Sequence, residues 1–235
     1  MSWSVQPTET GGVSNQEDLR RLVAALQAAS NDKEDQKGKK KGKESILFCS
    51  ASDHGQSNGR NTHYPFNCDG IPKMFRIGAA NADGTRYSWT SDQVDFILPG
   101  ADVRMRANDR AGFNQDTVPK TGSSVATALA AGLAALVIQI VKQGAIYHAL
   151  KDTTGLSEKS VRAIKTYKAM KSAFEVIRKD GGNEPKDERL AVGAFFTKAG
   201  RELSKNSSLD AKSKWIVLAK LARDLISSST ENAVG

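Results

Sequence analysis

Cysteine is nearly missing from this chain: there are two in 235 residues, Cys49 and Cys68. Neither belongs to a CxxC pair or stands near spaced histidines, which argues against a disulfide framework and against a Cys/His metal site. Cys49 lies inside the apolar run Ile46-Leu47-Phe48-Cys49, the setting of a buried structural thiol rather than of a reactive one. Histidine is equally scarce, with three residues, and aromatics make up only 6%. The sequence opens without a basic segment followed by an apolar run, so nothing reads as a secretory signal, and the expected compartment is intracellular. No repeat of fixed period is visible. Neither a metal nor a cofactor is expected.

Charge, by contrast, is plentiful and unbalanced: 34 Lys and Arg against 26 Asp and Glu, a net +8. A basic chain invites a nucleic-acid reading, yet the lysines gather in two places and are not interleaved with stacking aromatics. One gathering, residues 32–44 (DKEDQKGKKKGKE), mixes both signs with glycine and has no apolar side chain, which reads as a solvated loop. Nucleic acid is therefore not among the expected partners. Residues 121–141 carry no charge over about the length of a bilayer span. Their first half is Gly, Ser, Thr and Ala, which gain little from lipid, so a helix buried on all sides of an α/β protein is expected instead of a membrane helix.

The chain begins with an amphipathic pattern. Over residues 15–29, Leu19, Leu22, Val23, Leu26 and Ala29 recur at helical spacing. Short apolar runs bounded by turn formers follow at 45–50, 74–79 and 94–98, as strands buried on both faces would read. Helix, buried strands and a long uncharged helix together describe an α/β domain with a largely parallel sheet. From Leu156 onward Lys and Arg recur every three to four residues and strand-like runs stop. Residues 157–177, 189–203 and 210–226 each read as a helix, the last with an apolar stripe of Leu209, Trp215, Leu218, Leu221 and Leu225. A helical region over 151–235 is thus set apart from a sheet-bearing region over 1–150.

In α/β folds, chemistry sits at the carboxyl ends of strands and the amino ends of helices. The segment that answers to this is TGSSVATALAAG, residues 121–132. A glycine and two serines open an Ala-rich helix, where free amides and the positive helix end point outward. Taken alone, this could be no more than a Ser N-cap. Its order, however, resembles the nucleophile signature of the subtilisin-like serine peptidases, G-[TS]-S-x-[AS]-x-P, matched by Gly122, Ser123, Ser124, Val125, Ala126 and Thr127. Ala128 stands where the family has proline. The resemblance implies that Ser124 is the nucleophile.

Further segments resemble the family in the same order along the chain. Met1-Ser2-Trp3-Ser4 is similar to the MSxG strand end that lines the substrate cleft, with Ser4 in place of glycine, so Ser2, Trp3 and Ser4 are expected to bind substrate. Ser50-Ala51-Ser52-Asp53-His54-Gly55 is similar to A-A-G-N-x-G, whose Asn donates to the oxyanion. Here Asp53 holds that position, and an ionised carboxylate repels a developing oxyanion. Tyr64-Pro65-Phe66, Phe75-Arg76-Ile77-Gly78-Ala79, Ser88-Trp89-Thr90-Ser91 and Asp95-Phe96-Ile97-Leu98-Pro99-Gly100 resemble the YPA, VIAVGA, SFS and DVxAPG landmarks.

A serine hydroxyl is a poor nucleophile unless an imidazole takes its proton and a carboxylate orients that imidazole. In the family both partners precede the MSxG strand, so the resemblance implies that neither is carried by this stretch. His54, His63 and His148 lack the H-G-[TS] context of the catalytic base, and Asp69-Gly70 and Asp83-Gly84 read as turns. The expectation is a partial three-layer subtilisin-like α/β domain with a mostly parallel central sheet, followed by an all-α region. The implied function is serine endopeptidase, with an inactive fragment or interaction module as the alternative. The implied partner is a polypeptide substrate or a protein supplying the missing half-domain.

Overall fold

The computed structural model describes residues 14–30, 45–53, 65–66, 71, 73–104, 119–151, 155–180, 188–204 and 211–231. The cleft segment Ser2-Trp3-Ser4, the Lys-rich residues 32–44, His54, His63 and the Asp69-Gly70 pair all lie outside them. The element order is α1 (Ser14–Ser30), β1 (Leu47–Ser50), β2 (Met74–Ala80), β3 (Phe96–Pro99), α2 (Ser123–Lys151), α3 (Glu158–Ala163), α4 (Tyr167–Asp180), α5 (Val192–Ser204) and α6 (Ala211–Glu231). By internal contacts the chain divides into a unit of residues 1–41 and 47–131 and a unit of residues 42–46 and 132–235; α2 runs through both.

In the first unit the three apolar runs pair as parallel strands in the order β1-β2-β3. Strands buried on both faces have no polar alternation to display, which is why they read as plain apolar runs. Phe75, Ile77 and Phe96 are fully buried, and Met74 and Leu98 nearly so. Aromatic rings link the strands: Phe48 stacks on Phe75 at 5.1 Å between centroids, and Phe75 meets Phe96 at 6.2 Å, separations at which aromatic pairs attract beyond their burial. On one side Cys49, Ala51, Phe66, Ile71 and Met74 form a cluster, against which Leu19, Val23 and Leu26 of α1 pack. The helical stripe of α1 therefore covers the sheet as its spacing predicts. The Cys49 thiol is buried and donates to the Ser50 carbonyl at 3.4 Å.

Side chains also fix the sheet edge. The Asp95 carboxylate accepts the Arg76 amide at 2.8 Å while the Asp95 amide donates to the Arg76 carbonyl. The Arg76 guanidinium reaches the Phe66 carbonyl at 3.2 Å and lies 5.8 Å above the Phe66 ring. The expected turn at Asp83-Gly84 is present: the Asp83 carboxylate accepts the Thr85 amide at 2.9 Å, and Gly84 takes a positive φ of 88°.

In the second unit α4, α5 and α6 pack together, with the most extensive interface between α4 and α6. Met170, Ala173, Phe174 and Ile177 form the fully buried or nearly buried stripe of α4, and Ala219, Leu221, Ala222 and Leu225 that of α6. Trp215 and Leu218 are only half-buried, so the small alanines carry the centre of the α6 face. They leave room for α2: a Cβ on Gly144 would come within 2.6 Å of the Ala222 Cβ and 2.7 Å of Leu156 Cδ1.

Two expectations are corrected here. The single helix over 157–177 is two helices, α3 and α4, parted at Thr166. Its hydroxyl donates back to the Ala163 carbonyl at 2.8 Å and accepts the Ala169 amide at 3.4 Å, the local bonding by which Thr ends one helix and begins another. Nor is α2 buried on all sides. It is the one described helix long and apolar enough to cross a membrane by length and composition, and 44% of its most apolar window is buried. Ala126, Ala130, Leu133, Val137, Ile140 and Val141 turn inward, whereas Leu129, Leu136, Ile146 and Leu150 are exposed.

Candidate active site

The site forms where three strand ends and the start of α2 converge. Gly100, just past β3, accepts the Gly122 amide through its carbonyl at 2.7 Å. A Cβ on Gly100 would sit 2.7 Å from the Ala79 Cβ and 3.0 Å from the Gly122 carbonyl, so only glycine lets these backbones approach. Gly122 itself has φ of +144°, a conformation that side-chain-bearing residues rarely adopt. From there the chain turns straight into α2, with the Val125 amide bonded to the Gly122 carbonyl at 3.0 Å.

The two serines that follow have opposite surroundings. Ser124 is exposed on the first turn of α2. Ser123 is wholly buried. Its hydroxyl donates to Asp53 Oδ1 at 2.5 Å and accepts the Ala79 amide at 3.2 Å, with Thr90 Oγ1 at 3.5 Å. Its amide donates to Asp53 Oδ2 at 2.7 Å. Thr127 closes the turn by donating to the Ser123 carbonyl at 2.7 Å.

Asp53, half-buried at the exit of β1, is thus brought to the start of the serine helix from 70 positions away. Two backbone bonds deliver it there: the Ala51 amide continues the β1–β2 ladder to the Ile77 carbonyl at 2.8 Å, and the Ser91 amide holds the Ser52 carbonyl at 3.1 Å. The geometry makes Asp53 an acceptor for a helix amide, where the family position it resembles supplies a donor. Ser123 and Thr90 are the participants that the sequence reading left without a role. The signal available for them was the doubled serine after Gly122 and the Thr within the Ser88–Ser91 landmark.

Of the three histidines only His148 lies among the described residues. It stands on α2 itself, and from position 124 to position 148 the 1.5 Å rise per residue amounts to roughly 36 Å. It is buried, with its ring 5.9 Å from that of Tyr147 and against Gly155. His148 packs within the helical unit, far along α2 from Ser124. Among the described residues no three His, Cys, Asp or Glu side chains gather in a way that would hold a metal ion.

Comparison with known proteins places this arrangement. Two solved structures resemble the chain at 17% identity. One is described as the structure of the prenylagaramide maturation protease PagA, with a TM-score of 0.38 over 63% of this chain and 48% of that one. The other is the self-cleaved protease domain of PatA, with a TM-score of 0.37 over 84% of this chain and 59% of that one. The chain therefore spans about half to three-fifths of the length of these two. No curated protein matches it. The model of the subtilase family matches residues 1–210, nearly the whole sequence and every element of the site. The chain belongs to the subtilase family of peptidases.

Proposed function

We propose that this chain carries the nucleophile of a serine endopeptidase, Ser124, and that the imidazole and carboxylate which activate it come from outside the described residues. The observation that carries the reading is the opening of α2. Gly122 at positive φ turns the chain so that Ser123 is drawn inward by Asp53 and Ala79, which leaves Ser124 at the surface on the positive end of a long helix. In such a site Ser124 Oγ attacks the scissile carbonyl carbon and its proton passes to the imidazole. The imidazolium then protonates the leaving amine, and water hydrolyses the acyl-serine by the reverse proton route.

The substrate is accordingly a polypeptide, and the partner a polypeptide segment that brings the base; Ser2, Trp3 and Ser4 would line the cleft. We read α2 as a core helix of this domain and not as a membrane span, and the basic helices as solvated faces without a nucleic-acid role. One observation favours the second reading, an inactive fragment or interaction module: Asp53, at the position where the family's motif has a donor, offers a carboxylate that accepts the Ser123 amide.

The experiment is labelling of the folded chain with a fluorophosphonate, which reacts only with activated serines, in rising concentrations of free imidazole as a surrogate base. Labelling that grows with imidazole and vanishes in Ser124→Ala is the expected result. Equal labelling of the parent chain and Ser124→Ala would rule the proposal out.

A further inference from the structure

We infer that Asp53 is a positioning residue that fixes the start of the serine helix and, through the same contact, closes that helix end to anions. The inference deepens the reading of Ser124 as nucleophile, but its geometry stands without it.

The first amides of an α-helix have no acceptor within the helix, and the positive end of its dipole attracts negative charge. In this chain the position is filled from within. The Asp53 carboxylate takes the Ser123 amide at 2.7 Å and the Ser123 hydroxyl at 2.5 Å, lengths that belong to charge-assisted bonds. The pair is anchored in the sheet, since Ser123 Oγ also accepts the Ala79 amide of β2. The Asp53 carboxylate lies close over Gly122: a Cβ added there would stand 3.1 Å from Asp53 Oδ2.

Two consequences with opposite signs follow. As a cap from a distant strand end, Asp53 holds the first turn of α2 and hence the backbone that presents Ser124. As an acceptor with no hydrogen to give, it occupies the side of that turn on which a tetrahedral oxyanion at Ser124 needs donors. Asparagine separates the two. Its one carbonyl oxygen can still accept the Ser123 amide, while its NH2 group faces the Ser123 hydroxyl, which then accepts in place of donating, and the charge is gone. Asp53→Asn therefore keeps the fold and opens the helix end, whereas Asp53→Ala opens it without a cap.

The test titrates inorganic phosphate into the full chain and follows the backbone amide resonances of Ser123 and Ser124. It compares the parent, Asp53→Asn and Asp53→Ala, each also melted thermally. The parent amides are expected to stay in place at phosphate levels that saturate a shift in Asp53→Asn. Asp53→Asn is expected to melt with the parent, and Asp53→Ala about 2–4 °C lower. Phosphate shifts of equal size in the parent and Asp53→Asn would overturn the inference. So would an absence of shifts in folded Asp53→Asn, or its unfolding, because an amide of the same shape would then fail as a cap. The phosphate response is also expected to persist in Asp53→Asn/Ser124→Ala, so loss of the nucleophile and failure of the cap are read apart.

Discussion

The sheet unit and the helical unit reach their cores by different routes. In the first, strand residues 19 to 27 positions apart in sequence pair in parallel, and the site assembles from strand ends. Gly100 and Gly122 are joined by a backbone bond between remote segments, and the Asp53 carboxylate reaches the same turn through the Ser123 amide and hydroxyl. In the second, amphipathic helices bring their own stripes, and α4, α5 and α6 pack through their buried apolar side chains. The difference teaches where chemistry is available. Strand ends and a helix start leave backbone donors and acceptors to be satisfied by particular side chains, while helix faces consume their backbone bonds internally and offer only packing.

Substitutions can break this contrast from either side. The largest effect is expected at Phe75, which is fully buried and in ring contact with both neighbouring strands. Phe75→Ala should cost about 3–5 kcal/mol, measured by denaturant unfolding, and should loosen all three strands together. In the helical unit the tightest point is Gly144, where a methyl group would press on Ala222 and Leu156. Gly144→Ala is expected to destabilise by about 1–3 kcal/mol despite its better helix propensity; a neutral or stabilising result would show that α2 and α6 have room to separate. The smallest effect concerns α3. The Arg162 guanidinium, 2.6 Å from the exposed Glu158 carboxylate, holds Glu158 below the usual carboxylate range. A carboxyl lowered in the folded state supports folding above its unfolded value and loses that support as pH falls through the folded one. The protection of the α3 amides, taken relative to the intrinsic exchange rate at each pH, should therefore fall modestly on acidification, and this step should be missing in Glu158→Gln.

Much of the fold is legible in the sequence because burial leaves a pattern. The apolar runs at Leu47, Met74 and Phe96 became the three strands, and the spacing of Leu19, Val23 and Leu26 became the face of α1. The order of residues around Ser124 singled it out as the candidate nucleophile, and the structure places it exposed on the first turn of α2. What escaped has physical reasons. Thr166 breaks a helix by a hydroxyl bond that leaves the amphipathic spacing intact. The exposed face of α2 escaped because an uncharged run reads as buried whether or not anything covers it. The bond between Asp53 and Ser123 depends on β1, β2, β3 and two glycines all being in place, so neither residue announces the other.

The central claim is that, of the two adjacent serines, the exposed Ser124 and not the buried Ser123 is the nucleophile. The most direct measurement is peptide mapping by mass spectrometry of the folded chain after fluorophosphonate treatment with imidazole present. One adduct is expected, on Ser124. An adduct on Ser123, or none on either serine in a folded chain, would contradict it.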